Sequence, residues 1–190
     1  MAAKTYTRKE FVEVFSPYVN TITKGTGIFA GTLFSQAVLE SSGNYNTNKE
    51  WKVGGSRLAQ EANNFFGIKA DKGWNGARYN IKTREVYGGK DTFVKDDFRK
   101  YDSVKDSMKD YVNFLLNNKR YRDAGVFNAK TVEEQAAALK KAGYATDPNY
   151  AKVVTDVYRS LKDSISDKFE DVVTVAKKAT DEVKKNPCWQ

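Results

Sequence analysis

The 190-residue chain contains no histidine. That absence removes Ser-His-Asp and Cys-His nucleophilic hydrolases, His-ligated zinc enzymes and histidine general bases in one step. Any acid–base chemistry falls to Asp, Glu, Tyr or Lys. The single cysteine, Cys188, allows no disulfide within the chain, and a lone thiol in a tail is a poor nucleophile. No segment approaches the roughly 18 consecutive apolar residues that a membrane-spanning helix needs. The opening MAAKTYTRKE has no apolar region of the kind a secretory signal carries. The expectation is a protein that stays in the cell that makes it or leaves without the usual signal, for example by lysis. No calcium-loop pattern such as D-x-D-x-D-G is present, so no metal or other cofactor is expected.

What the chain does contain is ordinary for a globular domain: 40% hydrophobic and 29% charged residues. Its length suffices for one hydrophobic core with a small appendage. The formal charge of +8 suits a polyanionic partner, either nucleic acid or an anionic cell wall. The basic residues are spread along the chain rather than gathered in one run, which weakens the nucleic-acid reading, and no nucleic-acid partner is expected.

Helical signals dominate. Thr7-x-x-Glu10 is a capping box, followed at helical spacing by Phe11, Val14, Phe15, Tyr18, Val19 and Ile22. Pro17, with Ser16 as a candidate N-cap, predicts a break or kink. TKGTG reads as a turn, residues 43–56 as a loop and 56–63 as a short helix. From Asn64 to about Ser103 the chain turns rich in Gly, Tyr, Phe, Thr and Val, and Gly88-Gly89 in YGGK signals a hairpin between two strand-like runs. Helices resume with Val104, Met108, Tyr111, Val112 and Leu115 on one face. A second capping box, Thr131-x-x-Glu134, opens a helix that Gly143 ends, and Asp147-Pro148 caps the next. Ile165, Phe169, Val172, Ala176, Ala179 and Val183 repeat as an amphipathic helix beyond the core. The fold class is α+β, predominantly helical with a small β-hairpin lobe, over residues 1–163, with a C-terminal helix and tail over 164–190.

One carboxylate stands out. In GIFAGTLFSQAVLESSG the residues Phe29, Leu33, Ala37 and Val38 share a helix face, and Glu40 falls beside it in the last turn. A negative charge there opposes the helix dipole. Two readings are open: a solvated glutamate on a frayed end, or a carboxylic acid whose proton is retained by the dipole and by apolar neighbours, as a general acid requires. Glu85, 45 residues on and within the first hairpin strand, supplies a second carboxylate. An acid on a helix and another on a β lobe is the pairing that glycosidic hydrolysis uses. Asp91, Asp96, Asp97 and Asp102 compete with Glu85, and pattern alone does not rank them.

Four stretches in order, SQAVLESSG, LAQEANNFFGIKA, FRKYDS with the helix after it, and AAALKKAGYATDPNYAKVV, resemble the glucosaminidase domain of glycoside hydrolase family 73. That family occurs in bacterial autolysins, flagellar rod-associated wall hydrolases and phage lysins. The resemblance covers roughly residues 8–162. It implies a lysozyme-like fold and hydrolysis of the β-1,4 bond after N-acetylglucosamine in peptidoglycan, with Glu40 as general acid. It also implies that Glu85 matches a second glutamate before the hairpin turn, and Tyr144 a cleft tyrosine needed for activity. Trp51, Asn64, Tyr87 and Tyr150 are the candidate substrate-binding residues. Trp51 comes from NYNTNKEWKVGG, an insertion relative to many members, and either stacks on sugar or anchors a surface. Phe65 and Phe66 read as core.

In the implied reaction Glu40, its pKa lifted from about 4.3 towards 6, protonates the leaving oxygen. Glu85 serves an inverting water from roughly 6.5–9.5 Å away, or the substrate's own acetamido group attacks. The rivals are a muramidase or lytic transglycosylase on the same fold, and a non-catalytic wall-binding virion protein. The expected setting is a phage lysin or virion-associated lysin, in the host cytoplasm before lysis.

Overall fold

The computed structural model describes residues 4–45, 47, 50–87 and 90–166, with 83–87, 90–94 and 163–166 as backbone alone. The helices are α1 (Arg8–Thr23), α2 (Ala30–Ser41), α3 (Arg57–Ala62), α4 (Val104–Asn117), α5 (Lys119–Asp123), α6 (Val132–Lys141) and α7 (Tyr150–Ser166). Strands β1 (Arg78–Tyr87) and β2 (Lys90–Arg99) pair antiparallel, from Arg78↔Arg99 at the base to Tyr87↔Lys90 beside the turn. The Gly88-Gly89 turn itself lies outside the described residues, as do the predicted C-terminal helix beyond Ser166 and Cys188. The α+β reading, mostly helical with one hairpin, holds.

The chain divides into two compact units. Unit 1 comprises Met1–Phe11 and Gln36–Phe114, and unit 2 comprises Val12–Ser35 and Leu115–Gln190. In unit 1, Phe65 and Phe66 are core as expected: Phe65 stacks on Phe11 with centroids 5.7 Å apart, and Phe66 on Tyr111 at 4.2 Å. Burying each such ring contributes about 1.5–3 kcal/mol. The Tyr111 hydroxyl donates to Gln36 Oε1 within the same buried cluster. In unit 2, Gln135 plays a comparable polar part. Its amide donates to Gly27 O at 2.7 Å and Val126 O at 2.8 Å, while its Oε1 accepts from Phe29 N at 2.9 Å.

The two capping boxes read from sequence, at Thr7 and Thr131, keep their side-chain caps. Glu10 N donates to Thr7 Oγ1 at 3.2 Å, and Thr7 N to Glu10 Oε2 at 2.8 Å. At α6, Glu134 N donates to Thr131 Oγ1 at 3.1 Å, whereas the Glu134 carboxylate accepts from Lys130 N, one residue earlier than a closed box would have it. The helix ends in a Schellman arrangement, with Gly143 N on Lys140 O and Tyr144 N on Leu139 O, each at 3.0 Å.

The break expected at Pro17 is a correction. That residue does not break α1, which continues from Arg8 to Thr23 with the proline inside. Ser16 is not an N-cap: its hydroxyl donates back to Val12 O at 2.5 Å, and Thr21 likewise to Pro17 O at 3.0 Å. With Phe11, Val12, Phe15 and Val19 all buried along this helix, packing outweighs the one backbone bond a proline removes. Helix α5 and a 3-10 turn at Val126–Asn128 were not foreseen, because elements this short show no periodicity.

Candidate active site

Glu40 is half-buried, one residue before the end of α2. The segment after it is pinned to that helix end. Ser41 Oγ accepts from Gly54 N at 3.1 Å and donates to Ala37 O at 2.6 Å, and Ser41 O accepts from Ser56 N at 2.8 Å. Gly43 and Lys52 exchange backbone bonds at 3.0 and 2.9 Å. The strands of this loop approach so closely that a Cβ on Gly55 would lie 2.1 Å from Gly43 O, so only glycine fits. The described ends of this segment, residues 43–45 and 50–56, are thus braced on each other and on α2. The segment carries Trp51, 73% exposed, beside the Gly43–Lys52 bridge.

The NNFFGIKA stretch packs against the carboxylate. A Cβ on Gly67 would stand 4.0 Å from Glu40 Oε2, and Gly67 adopts φ +65°, a left-handed conformation that favours glycine. Asn64 builds this turn. Its amide nitrogen donates to Ile68 O and Arg99 O, both at 2.9 Å, and its Oδ1 accepts from Phe66 N at 3.3 Å and Ile68 N at 3.2 Å. Two donors and two lone pairs are the full capacity of an asparagine side chain. At 1% exposed, Asn64 is a brace under the Gly67 turn, without a hydrogen-bonding position left for a sugar.

The same amide reaches the hairpin. Arg99, the last residue of β2, also donates its N–H to Ile68 O at 3.0 Å. Its guanidinium bonds Asp110 on α4 at 3.1 and 2.9 Å and Asp71 at 3.2 Å, and lies 4.5 Å from the Trp74 ring centroid. The Tyr101 hydroxyl donates to the same Asp110 carboxylate at 2.7 Å. Burial first, then this bond to Asp110, push the Tyr101 phenol well above its ordinary range, so it remains a donor. Glu85 sits higher on β1, opposite Thr92, and Tyr87 opposite Lys90. Of the competing carboxylates, Asp96 is paired with Lys69 at 2.7 Å and Asp97 accepts from Asn80 at 2.9 Å, both structural contacts; Asp102 is exposed.

Unit 2 holds the two remaining candidates together. Tyr144 is half-buried just after the α6 cap, its ring 5.8 Å from that of Tyr150 and 6.3 Å from that of Tyr121. Tyr150 is buried, 4% exposed, so it supports Tyr144 as a wall. Lys140 Nζ donates to Ala145 O at 3.4 Å and Thr146 O at 3.0 Å, holding the turn that carries Tyr144. Sequence reasoning did not find Arg99, Asp110 or Lys140 as site supports. FRKYDS was the only signal at Arg99, and it names no contact. Among the described residues no group of His, Cys, Asp or Glu is placed to hold a metal ion, and no helix is long and apolar enough to cross a membrane.

Residues 16–163 match the glucosaminidase family, described as mannosyl-glycoprotein endo-beta-N-acetylglucosaminidase. The chain is 36% identical over 165 residues to the peptidoglycan hydrolase FlgJ of Escherichia coli K12, covering 84% of this chain and 48% of FlgJ. It is 32% identical over 152 residues to the exo-glucosaminidase LytG of Bacillus subtilis, covering 77% and 49%. The chain therefore spans about half the length of these curated relatives. Among solved structures, a C-terminally truncated glycoside hydrolase domain of Salmonella typhimurium FlgJ aligns with TM-score 0.59 and 35% identity, over 82% of this chain and 97% of that one. The catalytic domain of the Listeria monocytogenes autolysin Auto aligns with TM-score 0.65 and 30% identity, over 84% and 88%. The fold is the lysozyme-like one of these glycoside hydrolase domains. The chain belongs to the glucosaminidase family, glycoside hydrolase family 73.

Proposed function

We propose that this chain hydrolyses the β-1,4 bond after N-acetylglucosamine in peptidoglycan glycan strands, with Glu40 as general acid. The observation that carries the reading is the seat of Glu40: half-buried at the end of α2, with Gly67 against its carboxylate and a fully bonded Asn64 beneath. The helix dipole at that end opposes a second negative charge. In the proposed reaction Glu40 gives its proton to the leaving glycosidic oxygen as an oxocarbenium-like state develops. Glu85, on the hairpin, acts as the second carboxylate, accepting a proton from the water whose oxygen bonds the anomeric carbon as the glycosidic bond breaks, and Tyr144 orients the acetamido group or that water. Trp51, exposed beside the Gly43–Lys52 bridge, offers a ring face for a pyranose. The name of FlgJ, a peptidoglycan hydrolase, supports wall glycan as the substrate class, and that of LytG, an exo-glucosaminidase, supports cleavage at a glucosamine residue. A net charge of +8 favours approach to an anionic wall and fits our proposed setting, a phage or virion-associated lysin.

The test is turbidity loss and reducing-end release from purified peptidoglycan, comparing wild type with Glu40→Gln, which keeps size and hydrogen bonding but removes the acid. Activity lost in the variant supports the assignment, and equal activity removes Glu40 from the mechanism. Mass spectrometry of the products then distinguishes an N-acetylglucosamine reducing end from a muramic or anhydro-muramic end, which would indicate a muramidase or transglycosylase.

A further inference from the structure

A two-stranded hairpin is marginal by itself and depends on what holds its root. Here the root is tied by Ala70 N to Asp97 O at 2.8 Å, by Lys69 to Asp96 at 2.7 Å, and by Arg78 to the carbonyls of Ala70, Asp71 and Trp74, each at 2.8 Å. All these ties fall within the first residue pairs of the register, Arg78↔Arg99 to Ile81↔Asp96. Arg99 is where they converge on the rest of unit 1. Its side chain is 11% exposed and joins Asp110 of α4, Asp71 and the Trp74 ring, while its backbone is bonded by Asn64 and Ile68, the residues that shape the Gly67 turn against Glu40. One residue thus couples the seat of Glu40 to the root of the strand pair that carries Glu85.

We propose that Arg99 is a positioning residue, setting where the hairpin holds Glu85 with respect to Glu40. The proposal rests on the reading of Glu85 as the second carboxylate. Glu85 lies seven residues beyond Arg78, a lever of about 24 Å at the usual rise per strand residue. A rotation of only about 5° at the root then moves its backbone by about 2 Å on that lever. Displacements of about 1 Å in a catalytic group can cost ~10²-fold in rate. A planar fork bonded to two carboxylates and stacked on an indole resists such rotation, and a lysine ammonium, a point charge on a flexible stem, does not.

The experiment is a double-mutant cycle of Arg99→Lys with Glu85→Gln, measuring kcat and KM on soluble glycan fragments, with thermal melts confirming the fold. Arg99→Lys is expected to lower kcat at least ~10-fold with KM nearly unchanged, and to cost less than about twofold more once Glu85 is already Gln. An undiminished kcat, or an equal loss in both backgrounds, overturns the proposal. Full activity of Glu85→Gln alone is a separate outcome: it removes Glu85 as second carboxylate and the proposal with it, before Arg99 is considered. If Arg99→Lys does not fold, Trp74→Leu, at a half-buried position, removes the stacked ring and must show the same background dependence.

Discussion

Replacing Asn64 with alanine separates two accounts of that residue. If it contacts sugar, the substitution raises KM and leaves stability alone. The structure requires the reverse. The side chain joins two backbone N–H groups, Phe66 and Ile68, to two carbonyls, Ile68 and Arg99, at 1% exposure. Each bond contributes about 1 kcal/mol net, and a buried partner left unsatisfied costs more, so Asn64→Ala loses about 4 kcal/mol. Against the typical 5–15 kcal/mol of a domain, that is a large fraction of the total. Urea unfolding monitored by tryptophan fluorescence reads it directly. Because the same turn places Gly67 against Glu40, kcat on glycan falls too, even at temperatures where the variant is fully folded.

Asn64→Asp sharpens the test. Its carboxylate still accepts from Phe66 and Ile68, but it faces two carbonyl oxygens where donors stood, each 2.9 Å from the present amide nitrogen. Burial and those carbonyls raise the folded pKa of the new acid above its unfolded value, so the penalty is greatest at neutral pH and eases as pH falls through that raised value. An Asn64→Ala unfolding free energy within about 1 kcal/mol of wild type, with only KM raised, would refute the reasoning.

Gly67→Ala, at φ +65°, is expected to cost about 1–2 kcal/mol in backbone strain. Its new methyl, 4.0 Å from Glu40 Oε2, lowers kcat further; Gly67→Asn recovers part of the stability yet crowds the carboxylate more, and the opposite order in the activity assay would sink this. Lys140→Met removes the donor to Ala145 O and Thr146 O and is expected to lower kcat several-fold with little change in the melt; an equal loss in a Tyr144→Phe background would mean that Lys140 does not act through Tyr144. Glu10 has its pKa held below the ordinary 4.5, first by the Thr7 backbone N–H and then by the Thr7 hydroxyl. Its contribution is therefore complete above pH 4.5 and lost as pH falls through the lower folded value. Glu10→Gln removes that acid-side component, and superimposable stability–pH curves for variant and wild type would exclude it.

Legibility in the sequence tracks the range of each interaction. The boxes at Thr7 and Thr131 and the Schellman end at Gly143 involve residues three to five positions apart, so their chemistry is written contiguously. The Gly88-Gly89 pair likewise announced a hairpin, whose two strands pair from Arg78↔Arg99 to Tyr87↔Lys90. The break expected at Pro17 does not occur because its local penalty is real but is outweighed by burial of Phe11, Val12, Phe15 and Val19, a tertiary effect that no local pattern reports. The site divides along the same line. Glu40 was visible because a carboxylate at the end of an apolar helix is locally anomalous. Asn64 was visible as a residue, but its role was not. An amide that bonds Ile68 and Arg99, four and 35 positions away, looks in sequence like any polar side chain beside a predicted cleft. Arg99 is harder still, since its partners Asp71, Trp74 and Asp110 lie 28, 25 and 11 positions away and form no pattern in the sequence. Local chemistry thus discloses which groups are out of place, while the supports that make such a group useful are distributed over contacts that exist only in the fold.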